Sequence, residues 1–91
     1  MRERDIESYL VSLVKYYGGE ARKVKWIGRN NAPDRVVFLP DGRLIWVECK
    51  APGKTPTAAQ LREHERMRKL GQQVVVVDSC KKVLNLILLG E

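Results

Sequence analysis

Two acidic residues and one basic residue stand next to two apolar stretches of the sequence. Asp34 comes just before the run VVFL, and Glu48 and Lys50 lie on either side of Cys49, directly after the run LIWV. Alternate side chains of a strand point to the same face of a sheet, so a strand that continues through Lys50 presents Glu48 and Lys50 side by side. Because charged side chains are rarely buried without a partner, these residues are the first candidates for a functional site.

The distance between Asp34 and Glu48 depends on the turn that connects the two apolar runs. The segment Pro-Asp-Gly at 40–42 predicts a β-hairpin. A three-residue connection places Asp34 directly opposite Glu48, with Cβ atoms about 4.5 to 5.5 Å apart. A two-residue turn shifts the register by one and places Asp34 opposite Cys49 instead. We predict the longer connection.

Two carboxylates that face each other on one sheet predict a divalent cation between them. Like charges in directly opposed positions are destabilising unless something neutralises them. Oxygen ligands suit a hard ion such as Mg²⁺, which acts on phosphate as a Lewis acid and activates water. Lys50 would then position the water or stabilise the developing charge. The alternative is that Glu48 and Lys50 form an ordinary solvated pair at a strand end, and that Asp34 is a turn residue.

The motifs PD at 33–34 and ECK at 48–50 resemble those of the PD-(D/E)XK nuclease superfamily. More narrowly, the segment from NNAPDR to TPTAAQ, at 30–60, followed by VVVVDS, resembles the VRR-NUC (virus-type replication-repair nuclease) family in its compact stand-alone form. The resemblance implies that Asp34, Glu48 and the backbone carbonyl of Cys49 bind Mg²⁺ or Mn²⁺. It also implies that Lys50 assists the attack of water on phosphorus.

The resemblance implies two further site residues, Glu7 on the first helix and Gln60 on the helix after the motif. On the residues alone, Glu7 lies at the edge of an apolar stripe and could reach the sheet, or it could be an acidic residue favoured in a first helical turn. Gln60 could hold a water or a phosphate, or it could be a solvated side chain. We expect both at the active site because of the resemblance.

The charge balance predicts a polyanionic partner. The chain has 17 Lys and Arg against 11 Asp and Glu, a net charge of +6, which favours nucleic acid ahead of a membrane surface. No run approaches the roughly 18 apolar residues of a membrane span, so we expect a soluble, intracellular protein with no membrane partner. The candidate phosphate contacts are Lys23, Lys25, Arg29, Arg35, Lys54 and Arg62.

The 91 residues predict one α/β domain, 1–91, with the element order α-β-β-β-α-β-α. The hairpin is antiparallel and the next helix allows a parallel crossover, so we expect a central mixed sheet flanked by helices, and the resemblance implies a restriction-endonuclease-like core. The alternation in 21–29 predicts a half-exposed first strand. The helix after the motif is expected to turn Leu61, Met67 and Leu70 inward. Ser79 would cap a last helix, although the same residues could form a strand.

The remaining reactive side chains predict no additional site. His64 lies between charged residues and is expected at a solvated helix position, without a partner at ligand spacing. Cys49 and Cys80 are far apart and lack Cys-x-x-Cys spacing, so we expect two reduced cysteines, with Cys49 as an apolar filler in its strand.

These features predict a metal-dependent DNA endonuclease. A short chain leaves no room for a separate sequence-reading domain, so we expect recognition of shape, and the resemblance favours a homodimer acting on branched DNA such as four-way (Holliday) junctions. The resemblance also allows a virus- or phage-encoded protein that acts in the host cell. Three alternatives stay open: a nuclease acting on linear DNA without junction preference, a non-catalytic basic nucleic-acid-binding module, and a regulatory subunit that binds no nucleic acid.

Overall fold

Four short strands form one mixed sheet, and three helices pack on it. The computed structural model describes residues 1–90. The elements in chain order are α1 (Glu3–Tyr16), β1 (Glu20–Lys23), β2 (Arg35–Phe38), β3 (Leu44–Cys49), α2 (Ala58–Lys69), β4 (Val74–Val77) and α3 (Cys80–Leu89). The strands lie in the order β1-β2-β3-β4. The predicted fold class and order of elements are therefore confirmed.

The hairpin of β2 and β3 has the predicted three-residue connection. The Leu39 amide donates to the Arg43 carbonyl at 3.0 Å, and the Gly42 amide donates to the Leu39 carbonyl at 3.0 Å. Gly42 has a φ of 91°, a left-handed conformation that glycine adopts without steric cost. The ladder pairs Arg35 with Val47, so the next step of the same register sets Asp34 against Glu48.

The two faces of the sheet carry different kinds of residue. The side chains of Val37, Ile45, Val47 and Cys49 join the apolar core with α1 and α3. The alternate side chains of the hairpin therefore point to the opposite face of the sheet. That face is covered by α2, the helix that connects β3 to its parallel neighbour β4. Glu48 belongs to this second face. The strand register thus brings the acidic residues under α2.

The first strand is shorter than predicted. It ends at Lys23, and the Val24 amide donates to the Asp34 carbonyl at 3.1 Å. Lys25 and Trp26 therefore lie in the loop between β1 and β2, which we call the 24–34 loop. The alternation of basic and apolar residues predicted a longer strand. Trp26 is partly buried, but it lies in the loop, where its Nε1 donates to Glu63 of α2 and its ring packs on Trp46 of β3.

The inward side of α2 agrees with the prediction at Met67 and differs from it at Leu61 and Leu70. Its buried residues are Glu63, His64 and Met67, whereas Leu61 is exposed and Leu70 is 79% exposed. The prediction assumed that the apolar residues of this helix face the sheet. For Leu61 and Leu70 it was wrong because α2 covers the polar end of β3, where Glu48 provides a buried partner for a polar side chain.

The last segment is helical, as one of the two alternatives predicted. The Ser79 hydroxyl accepts a hydrogen bond from the Lys82 amide at 3.1 Å, and Gly90 ends α3 in a left-handed conformation. Neither α3 nor another helix within residues 1–90 is long and apolar enough to cross a membrane.

Candidate active site

Asp34 and Glu48 come together at the end of the hairpin. Asp34 precedes β2 by one residue, and its Oδ2 accepts a hydrogen bond of 2.8 Å from the Cys49 amide. Glu48, the next-to-last residue of β3, is only 2% exposed. Burial raises the pKa of Glu48 to about 8, and the negative charge of Asp34 adds to this rise. The structure therefore places two carboxylates close together with too little positive charge to keep both ionised at neutral pH.

Lys50 stands beside this pair. Its Nζ lies 3.9 Å from Glu48 Oε2, and its side chain is 14% exposed. The Lys50 amide donates to the Val77 carbonyl at 2.9 Å, which fixes the backbone at the point where β3 ends next to β4. The positive charge of Lys50 lowers the pKa of Glu48, but the opposing effects of burial and of Asp34 are larger. The ammonium group is thus held at the edge of the buried pair, with access to solvent.

His64 is part of the site, contrary to the prediction of a solvated helix position. It is 0% exposed, and its Nε2 lies 3.3 Å from Glu48 Oε1. Burial lowers the pKa of His64, and the positive charge of Arg68 lowers it further. The charged neighbours of His64 in the sequence suggested an exposed position, since the sequence does not show that α2 turns this residue toward β3.

Glu7 and Arg35 form an ion pair on the other face of the sheet. Arg35 Nε donates to Glu7 Oε2 at 2.7 Å, and Arg35 Nη1 donates to the Ala21 carbonyl at 3.0 Å. Arg35 alternates away from Asp34, as expected, and therefore meets α1 instead of the acidic pair. The structure thus pairs these two predicted site residues with each other, and the metal-binding role of Glu7 and the phosphate contact of Arg35 stay predictions.

Glu3 is the α1 carboxylate whose charge acts on the acidic pair. Glu3 is exposed, and its charge contributes to the raised pKa of Glu48, after the larger effects of burial and Asp34. It lies one helical turn before Glu7 and so nearer to the helix start. Counting back along the α1 stripe from Ile6, its first buried residue, could have pointed to Glu3 as an alternative to Glu7.

Gln60 has a local structural role in the structure. Its side-chain Oε1 accepts a hydrogen bond of 2.9 Å from the backbone amide of Thr57. The backbone amide of Gln60 donates to Thr57 Oγ1 at 3.1 Å. This reciprocal pair is a capping box that starts α2. This capping box occupies the side-chain oxygen of Gln60. The side-chain nitrogen Nε2 is the group that could contact a substrate.

Cys49 contributes to the core and to the position of Asp34. Its side chain is buried in the apolar cluster, and burial raises the pKa of the Cys49 thiol to about 12. Cys49 and Cys80 are both free cysteines. The thiol is therefore a packing group, as predicted, and the backbone of Cys49 is the part of the residue that lies next to the acidic pair.

The predicted basic contacts fall into two groups. Lys23, Lys25, Lys54 and Arg62 are exposed. Arg29 is also exposed, but its Nη2 lies 3.5 Å from Glu63 Oε1. Glu63 itself was not among the predicted residues. It is buried, and it accepts a hydrogen bond of 2.9 Å from Trp26 Nε1.

The residues present suit a cation that keeps some of its own water ligands. Within residues 1–90, no group of three or more His, Cys, Asp or Glu side chains could hold a metal ion. Mg²⁺ is often bound through one or two carboxylates with several waters, so the pair of Asp34 and Glu48 meets its needs. Burial and the negative charge of Asp34 raise the pKa of Glu48, and a cation bound between the two carboxylates would offset both effects. The donor set therefore fits a hard divalent ion.

This chain is similar to two known proteins over most of its length. It matches a solved structure described as a VRR_NUC domain with a TM-score of 0.86 and 43% sequence identity, over 93% of this chain and 92% of that one. It is also 56% identical over 79 residues to "Putative nuclease p44" of Acyrthosiphon pisum secondary endosymbiont phage 1, which covers 87% of this chain and 85% of the relative. No protein-family model matches the sequence. This chain therefore belongs to the VRR-NUC family of nucleases, the family that the PD and ECK motifs predicted.

Proposed function

We propose that this protein is a divalent-cation-dependent DNA endonuclease, with Asp34 and Glu48 as ligands of Mg²⁺ or Mn²⁺. The observation that carries the proposal is the opposed pair of carboxylates at the end of the hairpin, with Lys50 Nζ 3.9 Å from Glu48 Oε2. The backbone carbonyl of Cys49 is the third oxygen that we assign to the ion. When bound, the ion supplies Lewis-acid stabilisation of the negative charge that develops on the phosphoryl group.

Lys50 is the residue that we assign to the reacting groups. Its ammonium group stands at the solvent edge of the acidic pair, where it can hydrogen-bond the attacking water and stabilise negative charge on phosphorus. Hydrolysis then joins the water oxygen to phosphorus, breaks the bond to one ester oxygen and delivers a proton to that oxygen. Asp34 is held for its role by the Cys49 amide, and Glu48 by His64.

The substrate that we propose is branched DNA, such as a four-way junction. A net charge of +6 favours a nucleic-acid backbone. In a homodimer, a two-fold axis would present two active sites to two strands of a junction. The phage origin of the relative that is 56% identical supports a phage-encoded protein that acts on DNA in the host cell.

Cleavage of a panel of labelled DNAs tests this proposal. The panel contains a four-way junction, a flap, a nicked duplex and a linear duplex, each with Mg²⁺, with Mn²⁺ and with a chelator. We expect cutting only with a divalent cation, and faster cutting of the junction than of the linear duplex. Equal rates on all four DNAs would contradict junction selectivity. Binding without cutting under every metal condition would contradict the nuclease proposal and favour a non-catalytic binding module.

A further inference from the structure

A basic cleft lies between the 24–34 loop and α2. We call it the arginine cleft, and its polar lining residues are Arg29, Asn30, Asn31, Arg62, Glu63 and Arg66. Three guanidinium groups and two side-chain amides therefore surround one carboxylate. Arg62 and Arg66 are one turn apart on α2 and both are exposed. The cleft carries an excess of positive charge and of hydrogen-bond donors.

Glu63 lies at the base of the arginine cleft and contacts two of its arginines. Its side chain is 9% exposed, and its Oε1 lies 3.5 Å from Arg29 Nη2 and 3.4 Å from Arg66 Nε. Its Oε2 accepts a hydrogen bond of 2.9 Å from Trp26 Nε1, which ties the 24–34 loop to α2. The Trp26 ring also packs on Trp46, with centroids 5.6 Å apart. A buried carboxylate that engages one edge of each guanidinium group leaves the other nitrogens of Arg29 and Arg66 free to donate.

The arginine cleft lies on the same face of the sheet as the acidic pair. The loop that forms one wall ends at Asp34, and the helix that forms the other wall carries His64, which contacts Glu48. The 24–34 loop and α2 thus link the cleft to the acidic pair on this face. Phosphates repeat along each strand, so a phosphate other than the one being cleaved is the group that a cleft of this charge would hold.

We propose that the arginine cleft binds a backbone phosphate of the nucleic-acid substrate outside the cleavage position. This inference rests on the proposed nuclease function and adds the part of the substrate that this face recognises. Guanidinium groups match the geometry of phosphate oxygens with paired hydrogen bonds, and the Asn amides add neutral donors. The contact is independent of base sequence, because a phosphate carries no sequence information.

Binding of a fluorescent four-way junction in Ca²⁺, at several salt concentrations, tests the cleft. The variant Arg62→Ala/Arg66→Ala should bind about 10-fold or more weakly near physiological salt, and its slope of log affinity against log salt should fall by about 2. The control variant Lys15→Ala/Lys81→Ala removes the same charge from exposed positions of α1 and α3, and its slope should change by less than 1. Arg62→Glu, which removes no ion pair observed in residues 1–90, should weaken binding as well.

The possible outcomes distinguish a failure of the cleft assignment from a failure of the nuclease proposal. If the wild type binds DNA and the two double variants have equal affinities and equal slopes, the cleft is not a phosphate site. If the wild type itself binds neither the junction nor a linear duplex, the proposed function fails first. A folded Arg62→Glu variant with wild-type affinity would also overturn the assignment.

A separate observation concerns the buried pair of His64 and Glu48. The imidazole is 0% exposed, and its Nδ1 is the buried side-chain atom in residues 1–90 that has no hydrogen-bond partner. A nitrogen without a proton can be left unpaired at lower cost than a buried N–H group. The proton of the neutral ring therefore belongs on Nε2, which lies 3.3 Å from Glu48 Oε1. In this tautomer the ring donates to the carboxylate.

We infer that His64 is a positioning residue that fixes the Glu48 carboxylate for the cation, an inference that also rests on the proposed function. Outer partners of ligands commonly change metal affinity by about 10- to 100-fold. We expect His64→Met to weaken Mn²⁺ binding by this factor in calorimetry. His64→Gln should keep affinity within a few-fold of wild type, because its amide nitrogen can donate in the place of Nε2.

The comparison of the two variants gives a readout that packing alone would not change. Equal Mn²⁺ affinities for wild type, His64→Gln and His64→Met would overturn the role of His64. Equal losses in both variants would also overturn it, since a restored donor would then have no effect. Should His64→Met fail to fold, His64→Asn, whose shorter amide does not reach Glu48, replaces it under the same criteria. A wild type that binds no Mn²⁺ would instead contradict the proposed metal site.

Discussion

We expect the replacement of Glu48 by Gln to lower the rate of cation-dependent cleavage by on the order of 10³-fold or more. The amide keeps the shape of the side chain but removes the negative charge that the proposed ion requires. Wild-type protein should also be stabilised by Mn²⁺, by about 2.7 kcal/mol at 100 times the dissociation constant. For a domain of this size, that corresponds to a rise in Tm on the order of 10 °C. Glu48→Gln should show almost no rise.

Without a divalent ion, Glu48→Gln should be at least as stable as the wild type at neutral pH. The pKa of Glu48 rises from 4.5 to about 8, mainly because of burial and then because of Asp34. The folded protein therefore holds a proton that the unfolded chain releases between these pH values, so wild-type stability falls as the pH rises from 4.5 to 8. The variant should lack this fall.

Glu65→Gln is the matched control for Glu48→Gln. Glu65 is an exposed glutamate of α2, so its replacement should leave both cleavage and the Mn²⁺ effect unchanged. A Glu48→Gln protein that is folded and cuts at the wild-type rate would contradict the assigned role of Glu48. So would an equal thermal response to Mn²⁺ in the two variants.

Replacing Lys50 by Ala should lower the rate constant for cleavage by roughly 10²- to 10³-fold while most of the metal binding is retained. The ammonium group is assigned to the attacking water and the developing charge, not to the ion. Because the positive charge of Lys50 lowers the pKa of Glu48, Mn²⁺ binding by the two proteins is compared over a series of pH values, which separates a change in Glu48 ionisation from a loss of ligation. Single-turnover cleavage of the junction measures the rate constant, and calorimetry measures the affinity for Mn²⁺.

Lys81→Ala, at an exposed position of α3, is the control for charge loss and should cut normally. Lys50→Arg should rescue little activity, since a planar guanidinium group does not replace a compact ammonium group in the same space. A Lys50→Ala variant that cleaves at the wild-type rate would contradict the assigned role of Lys50 in the reaction. Loss of Mn²⁺ binding equal to that of Glu48→Gln would show that Lys50 acts through the metal site and not on the reacting groups.

The fold was predictable from the sequence where local rules decide the structure. The turn at 40–42 fixes the hairpin register through its three-residue connection and the positive φ of Gly42. The strand VVVV and the cap at Ser79 follow from β-branched residues and from a hydroxyl that satisfies a helix start. These signals act over a few residues, so they do not depend on the rest of the chain.

The site was predictable only in part, because tertiary contacts determine which polar side chains are buried. His64 and Glu63 look like solvated residues in the sequence, yet each has a partner distant in the chain, Glu48 and Trp26 respectively. The apolar pattern of α2 correctly turned Met67 inward but wrongly did so for Leu61 and Leu70, because the rotation of the helix also follows these polar contacts. In the same way, Glu7 was expected beside Asp34, although it pairs with Arg35 across the other face of the sheet.

The central claim is that Asp34 and Glu48 together bind a divalent cation. Anomalous diffraction from crystals grown with Mn²⁺, recorded at the manganese absorption edge, tests it most directly. We predict one strong anomalous peak within ligand distance of both carboxylates, about 2.0 to 2.4 Å from their oxygens, with Lys50 alongside. A peak elsewhere on the protein, with ordered Asp34 and Glu48 side chains that hold no manganese, would contradict the claim.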